Sequence, residues 1–412
     1  MKESNEPSAP AGAAGTLPPP DAPRVLFIAS QPYFQWRGSP IRLGFDVRAL
    51  CENGYAVDFL TLPIGEDRPV PGVRIVRCPN LFFAKKISIG PSPLKLAFDA
   101  VMFVEALFMA ARRRYAVVHG VEDCGFLALV VARLSRAKAV FEKHSDAGSY
   151  KKDPVIRAYA ALERFVMRRA DAVIGTGPGL VRQVEELRCG TPAFCVSDIP
   201  SSLVEPDAAG TAAERARLEK RKGEVLACYV GSFAVYQGID LLFSAIPLAT
   251  AKNPDLRFVI VGGTEAEIAE RKAQLREKGC EDRVSFVGKI PPDSLPCTLA
   301  ACDILLSPRI QGLNTPLKLL DYLKVARAIV ATDHPANRLI LDETVARLAA
   351  PEPEAFAAAV AELAGDPAAR GALASRCRRL VDERYNFGVF WNGLRDVYAR
   401  TLGGRAAPPR RA

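Results

Sequence analysis

The stretch from Cys302 to Asp333 reads CDILLSPRIQGLNTPLKLLDYLKVARAIVATD. Ile304, Leu305 and Leu306 form a short apolar run that predicts a buried strand, and Gly312, Asn314 and Pro316 predict a loop after it. Leu317, Leu320 and Leu323 recur at helical spacing, and Ala328 to Ala331 make a second apolar run. Strand, loop, helix and strand in that order form one parallel α/β unit. A loop feeding a helix leaves backbone N–H groups free at the helix N-terminus, where an anion is favoured. Lys318 adds a cation. Asp321, three residues on and therefore on the same helix face, adds a hydrogen-bond acceptor. Arg309 stands before the loop. A cation, a set of amides and a carboxylate beyond a strand's carboxyl end suit a phosphate joined to a polyol, as in a nucleotide sugar.

The bulk composition fits that reading. A chain of 412 residues suits roughly two or three domains, and 49% apolar with 25% charged residues is ordinary for a soluble globular protein. The net charge of +9 is carried by dispersed Lys and Arg, without a nucleic-acid-binding motif. Nucleic acid is therefore not an expected partner, which leaves two readings of the charge open, an anionic membrane surface or simply Lys and Arg at solvent. The ten cysteines contain no CxxC pair and no metal-ligand spacing with the three histidines. Cys51, Cys78, Cys228 and Cys302 sit in or beside apolar runs, as reduced thiols do, so a cytoplasmic setting is expected. Residues 1–23 lack an apolar signal core and are rich in Pro, Ala, Ser and Gly, which predicts a disordered leader. No apolar run reaches the roughly 20 residues of a membrane-spanning helix.

Working outward, residues 24–202 read as a first Rossmann-like domain. Its strands are expected at 25–30, 56–62, 73–79, 117–120, 139–144, 172–177 and 192–202, with helices over 43–53, 96–109, 125–135 and 155–169. Gly54 is expected to end the first helix in a left-handed cap. The helix Leu96 to Met109 is very apolar, with Lys85, Lys86 and Lys95 before it and Arg112 to Arg114 after it. It reads either as a core helix or as one resting on a bilayer surface. Residues 203–224 are charged and nearly free of large apolar side chains, which predicts a partly helical interdomain connector. Residues 225–385 read as a second Rossmann-like domain. Its strands are expected at 226–233, 257–263 and 284–289 before the opening stretch, with helices at 239–251, 265–278 and 295–301. Residues 386–402 predict a last helix, and 403–412 a disordered tail.

The run SPR…G-x-N-T-P-L-K-x-x-D-Y-L…I-V-A-T-D resembles the donor-site motif of GT-B glycosyltransferases of family 4, which transfer a sugar from a nucleotide donor with retention of configuration. The order Ala161-Leu162-Glu163 then Arg169-Ala170-Asp171-Ala172-Val173-Ile174 is similar to the same family. The resemblance covers residues 24–402 and implies an α/β fold of two Rossmann-like domains facing across a cleft, with the C-terminal helix crossing back to the first domain. It implies a nucleotide sugar held by the second domain and a carbohydrate or lipid-linked acceptor at the first, in the synthesis of cell-surface polysaccharide or glycolipid. The protein would then work in the cytoplasm, peripherally at the inner face of the membrane. No metal and no cofactor beyond the nucleotide-sugar co-substrate is implied, and no Asp-x-Asp stands at a strand end.

Residue by residue, the resemblance assigns the donor diphosphate to Arg309, Gly312, Leu313, Asn314, Thr315, Lys318, Ser232 and Gln237, and the ribose to Asp321. Gly38, Ser39 and Arg42 fall on the acceptor-side loop. His144 and Lys318 are the candidate catalytic residues: His144 follows an apolar strand at the sheet's functional edge and would hydrogen-bond the sugar or the acceptor. The departures are specific. A lone Gly38 stands where the family has a glycine pair. Ser232 and Gln237 stand where it has an Arg and a Lys. Its paired glutamates, E-x7-E, fall on Leu313 and Asp321. His119 and His334 also stand at strand ends; His334 is placed to touch phosphate or ribose. Two other readings stay open. A catalytically inactive GT-B scaffold or sugar-binding protein is favoured by Ser232, Gln237 and Leu313. A nucleotide-sugar epimerase would need a carboxylate–histidine pair, for which His119 with Glu122 is the candidate.

Overall fold

Continuous apolar runs such as Val25 to Ala29 belong to strands covered on both faces, and the structure, a computed structural model, places them so. It describes residues 19, 21–33, 38–65, 68–87, 92–146, 154–312 and 315–404, with the side chain of Val155 outside the description. The chain divides into two units. The first runs to Val196 and takes up the chain again from Trp391; the second is Ser197–Phe390.

The first unit is built on seven parallel strands, β1 (Arg24–Ala29), β2 (Ala56–Thr61), β3 (Arg74–Arg77), β4 (Val117–Val121), β5 (Lys138–Lys143), β6 (Ala172–Gly175) and β7 (Ala193–Cys195). Their order is β3-β2-β1-β4-β5-β6-β7, so the winding reverses between β1 and β4. Around them lie α1 (Gly38–Glu52), α2 (Pro93–Arg112), α3 (Gly125–Ser135), α4 (Pro154–Arg169) and α5 (Pro178–Glu186). Helix α1 starts five residues before the expected Leu43, because Pro40 is tolerated in a first helical turn. Gly54 ends it with φ +87°, as expected. Helix α2 buries Phe98, Met102, Ala106 and Met109 against the sheet and leaves Leu96, Val104 and Phe108 exposed. It is a core helix on one face and apolar on its outer face.

The second unit carries six parallel strands, β8 (Val225–Val230), β9 (Leu256–Val261), β10 (Val284–Gly288), β11 (Ile304–Ser307), β12 (Ala328–Thr332) and β13 (Arg347–Ala349). Their order is β10-β9-β8-β11-β12-β13, with the reversal between β8 and β11. The helices are α6 (Ala208–Leu218), α7 (Ile239–Lys252), α8 (Glu265–Glu277), α9 (Leu295–Ala300), α10 (Lys318–Lys324), α11 (Pro353–Gly365) and α12 (Pro367–Arg384). The stretch 203–224, expected as a connector, belongs to this unit. The charges that made it look solvated are bonded: Arg215 Nη1 donates to Ala301 O at 3.1 Å and to Asp303 at 2.7 Å, and Thr298 donates to Glu214 at 2.9 Å. Strand β13 and helix α5 were not expected, being only three and nine residues long.

The final helix, α13 (Phe387–Thr401), joins the first unit from Trp391 onward. Asn53 Nδ2 donates to Trp391 O at 3.2 Å, and the Tyr398 ring lies 5.1 Å from that of Tyr55. This is the return to the first domain that the resemblance implied.

Candidate active site

In open parallel sheets ligands settle beyond the carboxyl ends of the strands where the winding reverses. In the second unit that point lies between β8 and β11. Leu306 pairs with Tyr229, and past it Tyr322 bridges the diverging strands: Val230 N donates to its hydroxyl at 3.0 Å, and the hydroxyl donates to Leu306 O at 3.1 Å. Gly238, at φ +73°, brings the loop after β8 against the loop after β11; a Cβ there would stand 1.7 Å from Pro308 O. Tyr236 O accepts from Ile310 N at 3.2 Å and Gln311 N at 3.3 Å, closing the contact.

Two cations converge on these loops. Lys318, first residue of α10, places Nζ 3.1 Å from Gln237 Oε1 and 4.4 Å from the centre of the Tyr229 ring. Arg309 donates from Nε to Gln311 O at 2.8 Å and lies 5.5 Å over the Tyr236 ring. Gly312, at φ +92°, leaves room for that guanidinium; a Cβ would meet Nη2 at 2.5 Å. Among the described residues neither cation has a carboxylate within ion-pair distance. Burial, then the charge of Arg309, pulls the Lys318 ammonium down to about 7. Burial also lowers Arg309. Two crowded cations without counter-charges make a pocket that an anion would relieve.

Arg309, Gly312, Lys318, Gln237 and Ser232 are thus gathered on the two loops, and Thr315 lies three residues before Lys318 at the approach to α10. Leu313 and Asn314 lie outside the described residues. His334, also singled out, is lowered by burial and then by the charge of Arg309, and its Nδ1 accepts from Ala336 N at 3.2 Å.

Asp321, expected at the ribose, is bonded to Ser201 in this structure. Its two oxygens accept from Ser201 N at 2.6 Å and Ser201 Oγ at 2.9 Å, and burial raises its carboxyl to about 6 against those bonds. One turn on, Lys324 Nζ donates to Ser202 O at 2.8 Å and Val204 O at 2.5 Å. Helix α10 therefore holds the segment 201–204 with its charged residues.

In the first unit the interest centres on Glu142, in β5, which the sequence did not single out. It is fully buried and surrounded by donors. Arg42 Nε lies 2.6 Å and His144 Nε2 2.7 Å from Oε1, and His119 Nε2 lies 3.0 Å from Oε2. Burial alone would raise this carboxyl, but Arg42, then His119 and His144, outweigh it and hold it well below the usual range. Arg42, placed by sequence on an acceptor-side loop, is instead buried in α1 as the partner of Glu142; Gly38 and Ser39 are the first residues of that helix. His119 does not pair with Glu122, as an epimerase dyad would require. It sits between Glu142 and Tyr398, whose hydroxyl is 2.8 Å from Nδ1. Glu122 accepts from the backbone N–H groups of His144 and Ser145, the latter at 2.8 Å.

Comparison with known proteins fits this geometry. Residues 41–194 match the family model described as Glycosyl transferase 4-like domain, and residues 224–366 the model Glycosyl transferases group 1. The chain is 33% identical over 156 residues to a 2-deoxystreptamine glucosyltransferase of Streptomyces kanamyceticus, covering 36% of this chain and 40% of that one. It is 26% identical over 170 residues to a phosphatidyl-myo-inositol mannosyltransferase of Mycolicibacterium smegmatis, covering 40% and 42%. The matches thus span less than half of either relative. Among solved structures, the fold is similar to sucrose-phosphate synthase from Thermosynechococcus elongatus, with TM-score 0.72, 19% identity and 92% of this chain and 99% of that one covered. It is equally similar to HepE of Anabaena in complex with UDP, with TM-score 0.72, 14% identity and 91% and 99% covered. With both halves matched by their own family models and the two-sheet fold shared with these structures, the chain belongs to the GT-B glycosyltransferases of the group 1, family 4 type.

Proposed function

We propose that this glycosyltransferase takes a nucleotide-sugar donor in its second unit and transfers the sugar, with retention, to a carbohydrate or lipid-linked acceptor at its first, in the synthesis of cell-surface polysaccharide or glycolipid. The observation that carries the donor side is the pair Arg309 and Lys318, two cations without carboxylate partners among the described residues, beside the reversal of the sheet. That HepE has been solved with UDP and with UDP-glucose supports the same reading. In the transfer, the leaving diphosphate gathers charge against Arg309 and Lys318, a preorganised stabilisation that calls for no metal. The acceptor hydroxyl attacks from the face the diphosphate leaves. Incubation with a panel of nucleotide sugars and acceptors, with NMR of the product's anomeric configuration, tests both transfer and retention. Nucleotide binding without any product would favour the inactive scaffold, for which Ser232 and Gln237 speak.

The acceptor reading extends to an anionic membrane surface. Leu96, Val104 and Phe108 are 72%, 66% and 47% exposed along the outer face of α2, and Phe83 is 89% exposed in the turn before it. Lys85 and Lys86 are exposed ahead of the helix in sequence and Arg112 and Arg114 at its end, with Arg112 stacked 3.7 Å over Phe108. Exposed apolar side chains on a helix flanked by cations in sequence suit an anionic bilayer. Sedimentation with phosphatidylglycerol vesicles and not with phosphatidylcholine vesicles is the expected result; failure to sediment with either removes the membrane from the account.

A further inference from the structure

His144 is held at three places. Glu122 takes its backbone N–H and that of Ser145, fixing the chain after β5, and accepts from Ser145 Oγ at 2.9 Å. Glu142 takes the ring, at 2.7 Å from Nε2. Glu142 cannot turn away, because Arg42 at 2.6 Å shares the same oxygen and His119 at 3.0 Å faces the other. His119 is in turn braced by Tyr398 from α13, 2.8 Å from its Nδ1. The orientation of the acceptor-side histidine is thus set by a buried chain of groups drawn from β4, β5, α1 and α13.

A carboxylate accepts and does not donate, so the nitrogen facing it carries the proton. For His119 this puts the proton on Nε2 and leaves Nδ1 to accept from the Tyr398 hydroxyl. For His144 it puts the proton on Nε2 as well. In the neutral ring the second nitrogen of His144 keeps its lone pair, and no described residue hydrogen-bonds it, while the side chain retains 9% of its surface.

We infer that Glu142 is a positioning residue that fixes His144 in the Nε2–H tautomer, so that Nδ1 is presented as hydrogen-bond acceptor to the attacking hydroxyl. The inference rests on the reading of the first unit as the acceptor side. It involves no bond made or broken: the hydroxyl donates to Nδ1 and is oriented for attack. The carboxylate sets the tautomer and the imidazole meets the substrate, an arrangement whose loss leaves the tautomer unset.

The chain has only three histidines, so each ring is separable by NMR. In the full-length protein with ring-15N-labelled histidine, His144, assigned by comparison with His144→Gln, is expected to carry its proton on Nε2 at neutral pH. In Glu142→Leu no acceptor faces Nε2, and the preference for the Nε2 proton is expected to be lost. That variant is expected to lose at least tenfold in kcat, with the KM for the donor unchanged. The wild-type spectrum decides the matter even if Glu142→Leu fails to fold. A proton on Nδ1 in the wild type overturns the inference, and so does a folded Glu142→Leu with wild-type kcat. If the wild type transfers no sugar to any acceptor, the proposed function falls, while the tautomer still decides the part played by Glu142.

Discussion

Lys318 Nζ lies 3.1 Å from Gln237 Oε1, so the cation of α10 is met by a neutral amide on the loop after β8. The amide accepts one hydrogen bond and leaves the charge unbalanced. Where the family has a Lys on that loop, a second ammonium would repel Lys318; Gln237 instead steadies it. The pairing gives a physical reason why the loss of one cation need not empty the donor site. Lys318→Ala removes a charge-assisted bond to phosphate of about 1.5–3 kcal/mol. Turnover is expected to fall by roughly tenfold or more, measured as kcat and kcat/KM with saturating acceptor.

Protonation of Lys318 should be coupled to binding. Its ammonium titrates at about 7 in the fold against 10.5 for a solvated lysine, so between those values the unfolded chain binds more protons. Stability from this group therefore rises with pH from about 7 upward, and the full cost of the buried charge is felt below it. A diphosphate favours the charged form. Binding at about pH 8 is then expected to take up a proton, seen as buffer-dependent heats in calorimetry, and Lys318→Met should abolish the difference.

The junction of the two loops depends on Gly238. Its φ of +73° and the 1.7 Å between a would-be Cβ and Pro308 O leave no room for a side chain. Gly238→Ala is expected to destabilise well beyond the roughly 1 kcal/mol of a left-handed conformation alone. Gly223, at φ +90° with no atom within 4 Å of a Cβ, supplies the comparison. Urea unfolding of both variants should show a much larger loss for Gly238→Ala; equal losses would contradict the packing argument.

Asp321 should mark the pH dependence of α10. Its carboxyl is raised to about 6 from 3.8 by burial, so the folded state holds the proton more tightly between those values. Stability from this residue is full below about 4 and is lost as pH rises through about 6. Asp321→Asn should flatten that limb of the stability–pH curve, read by thermal unfolding across the range.

The strands were legible because parallel sheets covered on both faces demand unbroken apolar runs, and Val25–Ala29 and Ile304–Ser307 have them. The loop carrying Arg309 and Gly312 up to Lys318 was legible because its strand, loop and helix follow one another directly in sequence. The bond between Asp321 and Ser201 was not legible, because the two lie 120 residues apart and no spacing reports such a contact. Arg42 was misread for the same reason: Glu142 is 100 residues distant. Glu142 itself was passed over because one acid inside AVFEKH looks like the solvated side of a strand. Only the fold shows three donors around it. Tyr322 and Tyr398 were likewise hidden, since a buried hydroxyl in an apolar helix reads as packing until its partner is seen.

The central claim is that the second unit binds a nucleotide through Lys318 and Arg309. A thermal-shift panel of nucleoside diphosphates and nucleotide sugars on the wild type and on Lys318→Ala tests it most directly. A ligand at about a hundred times its dissociation constant adds about 2.7 kcal/mol to the folded state. The account predicts that one nucleotide raises the wild-type Tm and leaves the Lys318→Ala Tm unmoved. A wild-type Tm indifferent to every nucleotide, or a shift that survives in Lys318→Ala and Arg309→Ala alike, would contradict it.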